Sequence, residues 1–247
     1  MGYKNLTICS RDGFGSQYLK KMYGFGFCVN VPRYRYIHTP FTSIQHLGPE
    51  YVPLMNDFIG WDHQRAKIHV RFDKLHKCFP NPNCFFTDYV VDRIRANYYK
   101  NSKQEFNSEN DCIVIHIRRG DVNQHSRNRG AKRRFVENNW YVEKLKKIIE
   151  KNDDKIIIHT FGTNDVLENL KDSLINANIY ERIEIRFNQE IRKVFNDMVY
   201  AKKFFMAKSS LSYIAGILNE NEVFFQSGIN DAQSQNPLHR WKNWEDI

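Results

Sequence analysis

The most regular hydrophobic pattern in this chain lies in its second half, where short apolar runs alternate with segments of helical spacing. The run from 112 to 117, Cys-Ile-Val-Ile-His-Ile, is almost continuously apolar and rich in β-branched residues. That composition is typical of a strand buried on both faces of a parallel sheet. Polar residues begin abruptly where the strand is predicted to end, with Arg118, Arg119, Gly120 and Asp121.

The same alternation continues along the chain and predicts the fold class. Strands are predicted at 3–9, 112–117, 155–161, 183–187, 203–207 and 223–225. Helices are predicted from near Tyr18, over 88–100, over 139–151, from after Asp165 to about Asn176, over 190–202 and over 211–219. Strands that alternate with helices indicate βαβ units, and therefore an α/β fold with a parallel sheet.

A polar stretch divides the chain. Residues 100–110 contain few apolar side chains and are the best candidate for a linker. A chain of 247 residues is long enough for one large domain or two small ones. We therefore expect a first half at 1–108, a second half at 109–225, and a C-terminal tail at 226–247 that packs back on the first half.

Composition and charge narrow the possible partners. The net charge of +9 favours anionic ligands such as nucleotides, phosphosugars or nucleic acid. Five cysteines, an odd number, argue against a disulfide framework. Without a signal-peptide pattern or an apolar run of about 20 residues, the expectation is a cytoplasmic protein with no membrane span. The abundance of Lys and Asn hints at a microbial or viral source.

The arginine pair is the strongest candidate for chemistry. In open α/β sheets, ligands bind at the carboxyl ends of the strands, and a guanidinium group matches phosphate oxygens. Side chains alternate along an extended segment, so we expect one of Arg118 and Arg119 to face an anion. The other would brace the loop or meet Asp121. A plain surface cluster of salt bridges is the alternative.

Two further segments could bind phosphate. Ser209 and Ser210 lie between a predicted strand and a predicted helix, where hydroxyl groups and free N–H groups can bind an anion. A plain helix cap is the alternative. Gly13, Phe14 and Gly15 form a glycine-containing turn after the first strand, where the backbone could approach a ligand. The turn lacks the third glycine of the dinucleotide-binding fingerprint.

No metal site is predicted. The spacing of His69, His76, Cys78 and Cys84 fits no standard zinc pattern. Asp153 and Asp154 lie in a polar turn. The basic residues from 127 to 134 could contact nucleic acid, or could form a loop that covers an anionic donor or acceptor. No nucleic-acid-binding signature accompanies them, so we favour the loop and predict no nucleic-acid partner.

These motifs, in this order, resemble those of the α1,2/α1,6/protein-O-fucosyltransferase group of glycosyltransferases. His116-Ile-Arg-Arg-Gly-Asp121 matches the group's His-x-Arg-Arg-Gly-Asp motif, and Gly13-Phe-Gly-Ser-Gln17 resembles its N-terminal glycine turn. Phe161-Gly-Thr-Asn-Asp165 resembles its second motif. The segment from Asp197 to Asn219, which contains Ser-Ser-Leu-Ser, resembles its third.

The resemblance implies a GT-B fold: two Rossmann-like halves with parallel sheets, an acceptor-side half at 1–108 and a nucleotide-sugar-binding half at 109–225. The implied reaction is metal-independent, inverting transfer of L-fucose from GDP-fucose to a glycan or protein hydroxyl. No cofactor is expected. The implied catalytic residues are Arg118, which would stabilise the departing GDP, and Arg119, which would support it.

The resemblance also implies a donor site. His116 and Asp197 would contact guanine, and Ser209 and Ser210 would hold the β-phosphate. Gly13, Phe14, Gly15, Asp121 and Asp165 complete the predicted donor-binding set. No single catalytic base is predicted. The carboxylates of the first half that could serve are Asp12, Glu50, Asp57 and Asp62. The alternatives are another GDP- or UDP-linked sugar, or a non-enzymatic binder of anionic polymers.

Overall fold

The computed structural model describes residues 4–62, 82–102, 111–127, 129–226 and 241–247. The chain forms two compact units, residues 1–107 and 108–247. The boundary between them falls in the polar stretch at 100–110, of which residues 103–110 lie outside the described part. His69, His76 and Cys78, considered above as metal ligands, also lie outside it.

The described part of the first unit contains two parallel strands and three α-helices. In chain order these are β1 (Lys4–Leu6), α1 (Phe14–Asn30), β2 (Tyr34–Tyr36), α2 (Tyr51–Phe58) and α3 (Asp88–Ser102). Leu6 pairs with Tyr36 across the two strands. Their apolar side chains pack against α1 in a core that includes Leu6, Ile8 and Phe27.

Helix α1 begins earlier than the sequence predicts. Gly13 is its N-cap and Phe14 its first residue, so the predicted glycine turn at 13–15 is the first turn of a helix instead. Phe14 and Tyr18 are both buried, and the Phe14 ring packs edge-on against Phe41. The apolar face of α1 therefore starts at Phe14, and this packing extends the helix back to the glycine.

The second unit is built on a parallel sheet of six described strands. These are β3 (Cys112–Ile117), β4 (Lys155–Thr160), β5 (Ile183–Phe187), β6 (Lys203–Phe205), β7 (Glu222–Phe225) and β8 (Lys242–Asn243). Their order in the sheet is β5-β4-β3-β6-β7-β8. Counted from β3, this is the order 3-2-1-4-5-6 of dinucleotide-binding folds.

Helices connect these strands. They are α4 (Arg129–Arg134), α5 (Asn138–Lys151), α6 (Asn164–Asn176), α7 (Ile191–Tyr200) and α8 (Ser210–Leu218). Ile113, Ile115 and Ile117 of β3 share one core with apolar residues of α5 and α6. The alternate residues of β3 face the opposite side, where α7 contacts the strand. None of the described helices is both long and apolar enough to cross a membrane.

The described end of the chain belongs to the sheet and core of the second unit. Residues 242–243 form β8, which pairs with β7 and extends the sheet of the second unit. Trp244 is fully buried in the core of that unit, against Trp140, Tyr141 and Phe205. Residues 241–247 therefore belong to the second unit, where a large aromatic side chain anchors them. Residues 227–240 lie outside the described part.

Candidate active site

The candidate site lies at the carboxyl ends of β3 and β6. These strands are neighbours in the sheet, and the strand order reverses between them. Ligands of open α/β sheets bind at such a reversal. The chain leaves β3 through Arg118 and Arg119, and leaves β6 through a short loop that ends at Ser209, the N-cap of α8.

Arg118 remains partly exposed at this edge. Its Nη2 donates to both carboxylate oxygens of Asp121, at 3.0 and 2.9 Å. Gly120 makes this contact possible, because its positive φ of 75° turns the chain back on itself. Among the residues that the structure describes, the buried Nε of Arg118 has no hydrogen-bond partner. Since a buried donor without a partner is costly, this N–H is suited to an acceptor on a ligand.

Arg119 has a different role, because it is buried and its guanidinium group is engaged by the protein. It donates to the carbonyl oxygens of Arg118 (3.0 Å) and Val136 (2.8 Å) and to the side chain of Asn138 (2.6 Å). The group also lies over the Phe135 ring, 4.7 Å from its centroid. Arg119 therefore fastens the segment before α5 to the end of β3, whereas the predicted catalytic role would require contact with the substrate.

The start of α8 is held by a second set of bonds. The Ser209 Oγ accepts the Ser212 N–H at 3.3 Å, and the Ser212 Oγ accepts the Ala207 N–H at 3.2 Å. Ser212 also shares a 2.5 Å hydrogen bond with His116 Nδ1. Ser209 is buried and Ser210 is half-buried. The N-terminus of α8, a favourable place for an anion, is thereby fixed to the strand that precedes Arg118.

His116 is neutral in this setting. Burial is the largest cause that lowers its pKa from 6.5 to about 3, and the nearby charges of Arg118 and His159 act in the same direction. A neutral imidazole can hold Ser212 without adding a charge to the sheet. His116 therefore lies on β3 two residues before Arg118 and links this strand to α8 through Ser212.

A row of polar side chains crosses three strands just below the same edge. His116, His159 and Arg186 are in register on β3, β4 and β5. His159 Nε2 and Arg186 Nη1 both contact Oδ2 of Asp197 on α7, at 3.0 and 2.8 Å. The Asp197 carboxylate is buried, so this network fastens α7 to the sheet.

Glu184 extends the network to the surface. Its carboxylate accepts a 2.5 Å hydrogen bond from Arg186 Nε and forms an ion pair with Lys155. The hydrogen bond from Arg186 is the main reason that the pKa of Glu184 falls to about 2. The charge of Arg186 is thus paired with two carboxylates, the buried one of Asp197 and the half-exposed one of Glu184.

The remaining predicted donor-binding residues lie on other elements. Asp165 is exposed in the first turn of α6, at the carboxyl end of β4. Gly13, Phe14 and Gly15 belong to the first unit. The structure therefore brings together Arg118, Asp121, His116, Ser209 and Ser210 at one edge of the sheet, with Asp197 below it.

The first unit has its own polar cluster at the carboxyl end of β1. Asp12 forms an ion pair with Lys20 and accepts a 2.5 Å hydrogen bond from Ser10. The hydrogen bond from Lys20 is the largest cause that lowers the pKa of Asp12. Asp12, one of the four carboxylates considered as a catalytic base, is therefore held in its ionised form. Among the described residues, no three His, Cys, Asp or Glu side chains converge as a metal site would require.

Comparison with known proteins identifies the fold. No family model and no curated protein matches the sequence. The structure of E. coli heptosyltransferase WaaC with ADP-2-deoxy-2-fluoro heptose aligns at a TM-score of 0.52 and 8% identity, over 97% of this chain and 92% of that chain. WaaC with ADP aligns at 0.50 and 8% identity, over 94% and 90%. POFUT1 in complex with GDP aligns at 0.49 and 10% identity, over 98% of each chain.

A likeness at such low identity shows the fold alone. It confirms the α/β, GT-B-like fold predicted from the sequence. The fold of this chain is thus the GT-B-like fold that the WaaC structures share. The fucosyltransferase group itself is not identified by these comparisons.

Three residues of the site were missed by the sequence interpretation: Ser212, His159 and Arg186. Ser212 could have been found, because it is the last serine of the Ser-Ser-Leu-Ser motif and its backbone N–H is bonded to the N-cap. His159 and Arg186 interrupt apolar strands at positions in register with His116. A polar residue inside a buried strand predicts a hydrogen-bonding partner, but only the fold shows which residue that partner is.

Proposed function

We propose that this chain is an inverting, metal-independent glycosyltransferase that uses a nucleotide-diphosphate sugar. The donor's diphosphate would bind at the carboxyl ends of β3 and β6. The buried, unpartnered Nε of Arg118 carries this proposal, because it lies at the strand-order reversal beside the strand that leads to α8. The GT-B fold supports it, since the WaaC structure of the same fold contains an ADP-sugar analogue.

The chemistry of the transfer explains why a cation is needed here. An acceptor hydroxyl attacks the anomeric carbon from the face opposite the diphosphate, the bond between that carbon and the phosphate oxygen breaks, and the proton of the hydroxyl passes to water. The diphosphate leaves with an additional negative charge. A preorganised guanidinium and the free N–H groups of a helix start stabilise such a charge where it develops. Arg118, Ser209 and Ser210 would supply both.

Arg119 would act as a positioning residue. Its bonds to Arg118 and Val136 fix the backbone that carries Arg118. We assign a similar function to Asp197, although the family resemblance implies contact with guanine. Two protein groups already share Asp197 Oδ2, and acceptance of the two hydrogen-bond donors of guanine would require both oxygens to face the base.

The proposed donor is GDP-fucose and the proposed acceptor is a hydroxyl group of a glycan or protein. The donor assignment rests on the His-Ile-Arg-Arg-Gly-Asp and Ser-Ser-Leu-Ser motifs. An ADP-linked sugar is the second candidate, and one observation favours it: the neighbour of the same fold, WaaC, is bound to ADP and to an ADP-heptose analogue.

A thermal-shift screen with GDP, ADP, UDP and CDP tests this proposal. A ligand at 100 times its Kd stabilises the folded state by about 2.7 kcal/mol, so selective binding should raise Tm by several degrees. We expect GDP to give the largest shift and GDP-fucose to be hydrolysed slowly. A larger shift with ADP would favour the second candidate. No shift with any nucleotide would contradict a nucleotide-sugar enzyme.

Arg118→Ala is the variant that tests the site. We expect it to lose the nucleotide-dependent shift and the hydrolysis while its own Tm stays near that of the parent. Arg182→Ala is the matched control, because Arg182 is an exposed arginine that pairs with Asp153. An Arg118→Ala protein that hydrolyses GDP-fucose normally would place the donor elsewhere.

A further inference from the structure

A cluster of cations follows the candidate site directly in the chain. Residues 127–134, called here the basic segment, contain five cations and no acidic residue. Their side chains are exposed at Arg127, Arg129, Lys132 and Arg133. None of these four forms an ion pair with any residue that the structure describes.

The arrangement is unfavourable for the isolated protein. Arg129 lies three residues before Lys132 and four before Arg133 in the short helix α4. Like charges at these spacings repel and destabilise a helix, and a cation in the first turn opposes the helix dipole. A bound anion would remove this repulsion. Lys132 and Arg133 lie in the last turn, where the helix dipole favours cations, so the unfavourable charge is that of Arg129 at the start of the helix. An exposed group of cations with this repulsion is suited to an anionic ligand.

The basic segment is held next to the proposed donor site. Arg119 binds the carbonyl of Val136 and stacks on Phe135, and these residues follow α4 immediately. Arg134, the last residue of α4, is half-buried and close enough to Arg118 and Asp121 for their charges to influence it. The four exposed cations belong to the segment that these contacts join to the proposed donor site.

We propose that the basic segment binds the acceptor, and that the acceptor is a saccharide that carries carboxylate or phosphate groups. This inference rests on the proposed function. An acceptor hydroxyl must reach the sugar carbon next to the diphosphate, so the surface beside Arg118 is where an acceptor would lie. Six helical residues span only about 9 Å, which suits a short oligosaccharide.

Two features argue against nucleic acid as the partner. Nucleic-acid interfaces are large, commonly about 1,000 Å² of protein surface or more, and single-strand binders present aromatic rings for base stacking. The basic segment contains no aromatic residue. The nearest ring in the chain, Phe135, is half-buried and covered by the Arg119 guanidinium.

Fluorescence binding of labelled hexasaccharides to the full chain tests the proposal. The probes are a hyaluronan hexasaccharide, which carries carboxylates, a glucose hexasaccharide bearing phosphate groups, unmodified maltohexaose, which is neutral, and a single-stranded DNA 12-mer. We expect at least one anionic hexasaccharide to bind about tenfold more tightly than maltohexaose, with an affinity that falls as salt rises. Equal binding of the neutral and both anionic saccharides, or tighter binding of the DNA, would overturn the proposal.

A charge-removal variant with a matched control locates the surface. Arg129→Gln, Lys132→Gln and Arg133→Gln together should weaken binding of the anionic hexasaccharide about tenfold. Lys146→Gln, Lys151→Gln and Lys193→Gln remove the same net charge from α5 and α7 and should leave it within about twofold. Equal weakening in both triple variants, or none in the first, would contradict the assignment.

The donor site supplies the readout that separates this inference from the proposed function. GDP stabilisation should be unchanged in both triple variants, and Arg118→Ala should lose it while it still binds the anionic hexasaccharide. If GDP fails to stabilise the parent chain, the proposed function fails first. If GDP stabilises the chain but neither anionic hexasaccharide binds, the acceptor inference alone is overturned.

Discussion

Two adjacent arginines show how position determines the role of a residue. Arg118 is partly exposed, and its Nε has no partner in the described part of the chain, whereas Arg119 is 8% exposed and makes three hydrogen bonds. Alternation along the strand predicts that they face opposite sides. The sequence could not show which of the two faces α5, because that depends on the packing of Phe135 and Tyr141 against the sheet.

The first prediction compares lysine substitutions at the two positions. Arg119→Lys should lower the free energy of unfolding by about 1–3 kcal/mol, because an ammonium group cannot replace the planar fork that reaches three acceptors. Arg118→Lys should change it by no more than about 0.5 kcal/mol, as surface substitutions do. Urea unfolding measures both. Equal destabilisation would mean that Arg119 has no special structural role.

The second prediction concerns the pH dependence of stability. The pKa of His116 is about 3 in the folded state and 6.5 in an unperturbed chain. Between these values the unfolded chain binds a proton that the folded chain does not, so stability falls as pH decreases below about 6.5. From pH 6 to pH 5 the loss attributable to His116 should be about 1 kcal/mol.

Urea unfolding at the two pH values tests this with a matched pair of variants. His116→Asn should remove about one proton from the pH dependence. His125→Asn replaces an exposed histidine and should leave the dependence unchanged. If both variants behave like the parent, His116 does not carry the depressed pKa.

At the scale of elements, the polar row below the site connects the sheet to two helices. His116 bonds to Ser212 of α8, and His159 and Arg186 bond to Asp197 of α7. Both helices are thereby fixed close to the carboxyl ends of the strands. The strands and helices around the site are thereby held in fixed positions, as electrostatic stabilisation of the proposed leaving group requires.

The third prediction separates this structural role of Asp197 from base recognition. Asp197→Asn should reduce the free energy of unfolding by about 3 kcal/mol or more, because it leaves the Arg186 charge buried with less compensation. Asp154→Asn, which breaks an exposed pair with Lys202, should cost no more than about 1 kcal/mol. Preserved stability together with lost selectivity for GDP would instead support contact between Asp197 and guanine.

The sequence predicts most of the elements but few of their contacts. The strands at 112–117 and 183–187 have the predicted bounds, because their apolar runs are sharply ended by polar residues. The start of α1 was predicted about four residues late, since Gly13 and Gly15 suggested a turn and the packing of Phe14 is a tertiary effect. The partners of the polar row come from distant segments, and only the fold brings them together.

At the scale of the whole molecule, the end of the chain completes the second unit. The strand β8 has only two residues, Lys242 and Asn243, and no hydrophobic pattern. It could not be predicted, because a strand so short is held by its neighbours. Trp244 supplies that anchor in the core beside Phe205 and Tyr141.

The fourth prediction tests this anchor. Trp244→Ala should destabilise the protein by about 3–5 kcal/mol, as expected for truncation of a buried aromatic side chain. Tyr89→Ala, at a residue 61% exposed in the first unit, should cost less than about 0.5 kcal/mol. Hydrogen exchange should show faster exchange across β6 and β7 only in the first variant. Unchanged exchange in these strands would contradict the assignment of the tail to this sheet.

The most direct test of the central claim is to map where a nucleotide binds. Hydrogen exchange of the full chain, measured with and without saturating GDP, resolves the site by peptide. The account predicts slower exchange in the peptides that contain residues 118–121 and 207–212, with Arg118→Ala abolishing the effect. Protection confined to other segments, or an equal effect of GDP on the Arg118→Ala variant, would contradict a donor site at the ends of β3 and β6.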